Sequence, residues 1–303
     1  MAYDVLVVDD EADIRALICG ILNDEGYETR GAGGSTEPLA AIRARRPILV
    51  ILDIWLQGSE LDGLESELSR YVESTDIDRA NRLARGESIA VGDDALHCLL
   101  VAAEMSLATQ RAFDAAYASQ RAPGTAPDAP PFTLDPAAHV LTSQSERLHL
   151  DLGAIGKGYA LDGMAAVLGD WAIASACLNS GGSTALALAP PAGARGWPIG
   201  LGEGTAHRVL PLAHAALSGS GTAVQGAHLI DPRTGAQAVR ASRAWALAPS
   251  AAVSEALSTA FFVWTDDEVA AFCAAHAEVG AALVTPDHGL ARFGALKNIR
   301  AED

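Results

Sequence analysis

Short apolar runs alternate with helix-period stretches over the first sixty residues. Val5-Leu-Val-Val8 has the pattern of a buried strand and ends in Asp9-Asp10 and Glu11. Ile14, Leu17, Ile18, Ile21 and Leu22 then recur at helical spacing until Asn23-Asp-Glu-Gly26 stops them. Tyr27 to Arg30 predicts a brief second strand, Pro38 to Ala44 a second helix, and Ile48-Leu-Val-Ile-Leu52 a buried strand that ends in Asp53. Such alternation predicts a parallel sheet, and acidic residues at two strand ends would meet at its ligand-binding edge. Three carboxylates there suit a hard cation such as Mg²⁺.

Past residue 65 the order is less regular. Arg79 to Ala84 reads as a polar helix, and Asp93 to Ser106 as a clear one through Leu96, Leu99, Leu100 and Ala103. Five prolines between Ala122 and Pro136 predict a surface loop. His149 to Leu152 reads as a strand, Gly158 to Leu168 as a helix and Ala176 to Asn179 as a buried strand. Helices over Ala251–Phe262 and Asp266–Ala275 and a strand at Ala281–Val284 follow. The expectation is an α+β domain over residues 65–303, preceded over residues 1–64 by an α/β half with an incomplete parallel sheet.

Charge removes some partners. The chain of 303 residues carries 38 acidic against 21 basic side chains, a formal net charge of −17. Nucleic acid and anionic membrane would both repel it, so neither is an expected partner. Cys19, Cys98, Cys177 and Cys273 lie too far apart for a Cys-x-x-Cys site and fit buried thiols in a reducing compartment. The N-terminus lacks a basic stretch before its apolar run, and no apolar run is long enough to span a bilayer. The expected location is cytoplasmic.

The densest chemistry lies in Asp151-Leu-Gly-Ala-Ile-Gly-Lys-Gly-Tyr-Ala-Leu-Asp162. Its glycines let backbone approach a ligand, Lys157 adds positive charge, and the following helix points its N-terminus at the same place. That combination suits a phosphate or pyrophosphate. Glu255 and Thr259 lie four apart on a predicted helix, so they share a face, either as part of an Mg²⁺ shell or as a solvated surface. His228 opens His-Leu-Ile-Asp-Pro-Arg-Thr-Gly235, where it is either a general base or a support for the Asp231-Pro turn. Asp231 and Arg233 either hold that turn or touch ligand.

Two resemblances organise these residues. The N-terminal segment resembles the first half of a response-regulator receiver domain, of flavodoxin-like fold, through Val-Val-Asp9-Asp10-Glu11 and Val-Ile-Leu-Asp53-Ile-Trp-Leu. The resemblance implies Asp53 as phospho-acceptor, with Asp10 and Asp9 or Glu11 holding Mg²⁺. A whole receiver continues through two more strands bearing a Ser/Thr and a Lys, and neither follows Gly63.

From about Leu68 onward the chain resembles the FAD:protein FMN transferases, the ApbE-type flavin transferases. The motifs, in family order, are Leu-Ser-Arg-Tyr71, Ala112-Phe-Asp114, the Asp151–Asp162 stretch, Leu178-Asn-Ser-Gly-Gly182, Ser218-Gly-Ser-Gly221, His228–Gly235 and Ser254-Glu-Ala-Leu-Ser-Thr259. This resemblance implies Mg²⁺-dependent transfer of FMN from FAD to a Thr or Ser hydroxyl of an acceptor flavoprotein, with release of AMP. It implies His228 as the base and Tyr71, Ala112, Phe113, Asp114, Asp151, Lys157 and Ile230 around FAD. Glu255, Thr259 and the Ala154 carbonyl would hold the metal. Three departures stand out: Glu255 where the family has Asp, Arg111 where it usually has glycine, and the receiver half in place of a strand and long helix. An FAD-binding remnant without transferase activity, or a phosphorelay receiver joined to a flavin-transferase domain, are the alternatives. Family members usually work on the exported side of a membrane.

Overall fold

The computed structural model describes residues 4–9, 11–33, 37–45, 47, 49–52, 68–120, 129–180, 182–202, 207–221, 230–238, 241–284 and 289–298. The chain divides into two compact units, Met1–Glu67 and Leu68–Asp303.

In the first unit, β1 (Asp4–Val8), apolar from Val5 onward, lies between β2 (Glu28–Ala32) and β3 (Leu49–Leu52), both parallel to it. Helices α1 (Ala12–Asp24) and α2 (Glu37–Ala44) make the crossovers. The core is small, with Leu6, Val8 and Ala32 packed against Ala41 and Ile42. Arg30 grips Asp4 through both carboxylate oxygens, at 2.9 and 2.8 Å. That pairing, helped by Arg45, holds the Asp4 carboxyl below its ordinary pKa. The apolar positions that define α1 do not all find a core: Leu17 is 64% exposed and Ile21 56%.

The second unit is built on a six-stranded antiparallel sheet. In spatial order its strands are β14 (Leu290–Gly294), β13 (Gly280–Val284), β12 (Arg243–Ala248), β11 (Ala215–Gly221), β8 (Thr184–Ala187) and β7 (Cys177–Ser180). Helix α6 (Ala251–Val263) lies across β11 and β12 and against α5 (Gly156–Asp170). α6 is apolar almost all round, as a helix in the middle of a core must be. Phe261, Phe262 and Leu257 carry that core toward α4 (Asp93–Ala108). On the opposite sheet face Leu217, Trp245 and Leu247 pack with Leu201 of β9 (Trp197–Leu201) and Leu210 of β10 (Arg208–Leu212), an antiparallel hairpin. A three-stranded sheet of β4 (Ser88–Ala90), β6 (Val140–Ser143) and β5 (Phe132–Asp135) and the short helices α3 (Asp76–Ala80), α7 (Asp266–Ala275) and α8 (Ala295–Asn298) complete the unit.

Three local expectations need correction. Phe132–Asp135 is strand β5 inside the proline-rich stretch expected to be loop, because its backbone pairs with β6. The polar helix runs over Asp76–Ala80 rather than Arg79–Ala84: the Thr75 side chain caps its start by accepting from Asp78 N–H at 3.0 Å, and Asn81 ends it. His149–Leu152 is not a strand; Leu150 N–H donates to Asn81 Oδ1 at 2.6 Å and Asp151 N–H to the Ala115 carbonyl at 2.8 Å, so no ladder forms. All four cysteines are free. Burial pushes the Cys98 thiol up to about 12 and those of Cys177 and Cys273 to about 11; Cys98 and Cys273 are buried, Cys19 and Cys177 half-buried.

Candidate active site

Two helix N-termini converge in the second unit, and each is capped by an acid from the other helix. Asp162 of α5 accepts from the first amides of α6, Ala251 N–H at 2.8 Å and Ala252 N–H at 2.9 Å. Glu255 of α6 accepts from Gly158 N–H, in the first turn of α5, at 2.9 Å. Each carboxylate satisfies donors that a helix start leaves unpaired. The crossing is close: a Cβ on Gly158 would stand 2.3 Å from the Ala251 carbonyl oxygen, so only glycine fits. Burial raises the Asp162 carboxyl above its ordinary pKa, the backbone amides oppose that, and the Glu255 charge adds to it.

Glu255 is 4% exposed and fully engaged. Its Oε1 accepts from the Thr184 hydroxyl at 2.6 Å and lies 3.3 Å from Lys157 Nζ. Ser218 stands opposite Thr184 in the β11–β8 register, and cross-strand partners share a face. Its hydroxyl is buried and finds no hydrogen-bond partner among the described residues. Thr259, one turn past Glu255, lies 3.4 Å from the Ser220 hydroxyl and 3.4 Å from the Glu255 carbonyl.

A second cluster flanks the Asp151 stretch. Asp151 Oδ1 accepts from Gly153 N–H at 2.9 Å, and its Oδ2 lies 3.2 Å from Arg70 Nε, an ion-pair distance without hydrogen-bond geometry. Arg70 also lies over the ring of Tyr71, 4.3 Å from its centroid, and Tyr71 is 80% exposed. Asp114 pairs with Arg111 and accepts from Ala116 N–H at 2.9 Å, while Ala112 and Phe113 are buried. Because Asp151 N–H bonds the Ala115 carbonyl, the Asp114 and Asp151 segments are adjacent.

Lys157 and Glu255 therefore meet, and Asp114, Asp151 and Tyr71 form a neighbouring group. Ala154 sits half-buried in the turn before α5. Ile230 is exposed, with its backbone bridged to Gln237. Arg233 donates to both Asp231 oxygens at 3.0 Å and to Glu268 at 2.8 Å, so this pair holds its own turn. His228, Asp53 and Asp10 lie outside the described residues. Asp9 is buried, and its Oδ1 accepts from Glu11 N–H at 2.8 Å. Asp162, Thr184 and Ser218 carry much of the site without having been singled out by spacing. Asp162 had a legible signal as the closing acid of the glycine stretch; the other two are ordinary strand residues until register places them.

The oxygens suit a hard divalent cation in type. Among the described residues no group of three or more His, Cys, Asp or Glu forms a metal cluster. The donors would be one carboxylate with hydroxyl and carbonyl oxygens, a sparse set of the kind Mg²⁺ completes with water and phosphate. The buried Ser218 hydroxyl, opposite the Thr184 that holds Glu255, is unpaired among the described residues.

The family model described as ApbE family matches residues 56–283, and that of the response regulator receiver domain matches residues 5–76. The flavin transferase ApbE from Vibrio cholerae has a similar fold, with a TM-score of 0.66 at 19% identity over 79% of this chain and 87% of that one. The flavinyl transferase ApbE of Pseudomonas stutzeri, in its apo form, has a TM-score of 0.67 at 20% identity over 86% of each chain. At such identity the likeness concerns the fold. The N-terminal segment is 63% identical over 65 residues to the nitrogen assimilation regulatory protein NtrX of Azorhizobium caulinodans, covering 22% of this chain and 14% of that protein. It is 56% identical over 61 residues to a putative NtrX-like response regulator of Rickettsia bellii, 13% of whose length is covered. The chain thus spans only a small part of those curated relatives.

Proposed function

This chain belongs to the ApbE family, and from that premise we propose that it transfers FMN from FAD to a Thr or Ser hydroxyl of an acceptor flavoprotein, releasing AMP. The observation that carries the reading is the convergence of the first turn of α5, with Lys157 and Gly158, on the buried carboxylate of Glu255. An ammonium and the first turn of a helix stand beside a buried carboxylate, an arrangement that suits a pyrophosphate bound together with a divalent cation. In this reading Asp114 and Asp151, with the backbone of Ala112 and the buried Phe113 behind them, would flank the FAD, and the exposed Tyr71 ring offers a stacking face. Ile230 closes the far side in this reading.

In the reaction the acceptor oxygen attacks the FMN-side phosphorus, the bond from that phosphorus to the bridging oxygen breaks, and AMP departs with the electron pair. His228 takes the acceptor proton. Lys157 and the helix termini stabilise charge on the pyrophosphate and the departing phosphate, the largest contribution in transfers of this kind. Glu255, Thr259 and the Ala154 carbonyl would hold Mg²⁺, which when bound offsets phosphate charge. Thr184 and Gly158 orient Glu255, whose extra methylene relative to Asp is taken up by reaching across to α5.

Intact-protein mass spectrometry tests the proposal. A threonine-bearing acceptor domain incubated with this protein, FAD and Mg²⁺ is expected to gain the mass of FMN. The gain disappears with EDTA and in His228→Ala. No gain, with an authentic flavin transferase active in parallel, refutes the reading.

A further inference from the structure

Three donors hold Glu255 with unequal grip. Gly158 N–H and the Thr184 hydroxyl, at 2.9 and 2.6 Å, belong to the buried frame of α5 and β8. Lys157 Nζ is looser, at 3.3 Å from Oε1, and its side chain is 41% exposed. Its other acceptor, the Gly153 carbonyl, is 3.5 Å away. Of the three, Lys157 alone can leave without disturbing a helix or a strand. Its identity is also selective. Of 21 basic residues only Lys157 and Lys297 are lysine. A guanidinium is a planar fork, whereas an ammonium is a compact point charge that stands where a small cation would.

Resting on the reading of Glu255, Thr259 and Ala154 as divalent-cation donors, we propose that Lys157 is a tethered counter-cation. It occupies Glu255 Oε1 in the metal-free protein and is displaced when the divalent ion binds. A buried carboxylate left without a counter-charge, even one that keeps its neutral donors, is strongly disfavoured, which gives the metal-free state its need for the lysine. Two cations at one carboxylate oxygen repel at short range, which gives the metal-bound state its need to expel it. The displaced ammonium stays on the first turn of α5, where the reading above seats pyrophosphate. Metal entry thereby delivers a second positive charge to the substrate, and Lys157 serves as a positioning residue for metal and phosphate alike.

The test is Mn²⁺ binding by calorimetry to the full chain without flavin, in wild type, Lys157→Met and Glu255→Gln. Removing the competitor is expected to tighten binding by about fivefold or more, the range of an ordinary coupling between sites. Glu255→Gln is expected to abolish binding. Equal or weaker affinity in Lys157→Met, with Glu255→Gln still abolishing binding, overturns the counter-cation and leaves the metal site standing. Binding absent from wild type and Lys157→Met alike, or unchanged in Glu255→Gln, overturns the metal reading and the proposal with it. A second readout needs no variant: acetylation of wild-type lysines, mapped by mass spectrometry, with Lys297 as internal reference. Mg²⁺ is expected to speed labelling of Lys157 severalfold and leave Lys297 unchanged; a constant ratio while Mg²⁺ binds overturns the displacement.

Discussion

Arg111 shows how one residue can oppose its own backbone. Its φ is 64°, in the left-handed region that favours glycine, so the departure from the family's usual glycine sits where the conformation still asks for one. That conformation costs a non-glycine residue roughly 1 kcal/mol. The guanidinium offsets the cost by pairing with Asp114, whose side chain is 6% exposed. Removing the partner of a buried charge costs more, about 3 kcal/mol or above. Arg111→Gly is therefore expected to destabilise the protein in urea despite relieving the backbone. With Asp114→Asn already in place the sign reverses, and Arg111→Gly gains about 1 kcal/mol. The same sign in both backgrounds would refute the assignment of the two effects. Neither the strain nor the pairing was legible from spacing, because a positive φ leaves no trace in hydrophobic pattern. The glycine expected from the family resemblance was the sole hint.

At the scale of elements, the crossing of α5 and α6 fixes the site. Gly158 lets the helices touch, and Asp162 and Glu255 then cap each other's helix. A methyl group at 158 meets backbone rather than a yielding side chain, so Gly158→Ala is expected to cost roughly 1–3 kcal/mol, as overpacking does. In a unit of this size that lowers the thermal midpoint by several degrees, about 2–4 °C for each kcal/mol. An unchanged midpoint would mean the helices part freely, and the reciprocal capping would lose its role. Helices with local signals were the legible elements: Asp266–Ala275 has the predicted bounds, and a capping box between Thr265 and Glu268 explains why. The glycine stretch and the Glu255–Thr259 spacing also announced themselves. The misses share one cause, a distant partner. Asn81 takes the backbone of Leu150 away from any ladder, and β6 draws Phe132–Asp135 out of a proline-rich stretch. No window along the chain contains both partners.

At the scale of the molecule, the two units differ in how much they bury. The cores of the second unit run from Ile77 to Leu296 and join helices and both faces of its sheet. Among the described residues the first unit's buried aliphatic side chains are only those of Val5 to Val8 and Ala32, on a three-stranded sheet, and Leu17 and Ile21 of α1 stay exposed. Stability follows buried area, and a small domain buries too little of its chain to hold with much margin. The carboxylates and donors of the candidate active site also belong wholly to the second unit. A chain trimmed to Leu68–Asp303 is therefore expected to unfold cooperatively, with a thermal midpoint close to that of the main transition of the full chain, and to bind Mn²⁺ as the full chain does. Met1–Glu67 alone is expected to melt without a sharp transition. Calorimetric scans of both pieces beside the full chain decide the matter. If the trimmed chain loses cooperativity or metal affinity, the receiver-type segment supports the site physically, in place of the strand and helix that the family resemblance leads one to expect there. If it keeps both, the segment is an appendage, and a role of its own would rest on the acidic residues that the receiver resemblance singles out, Asp9, Asp10 and Asp53.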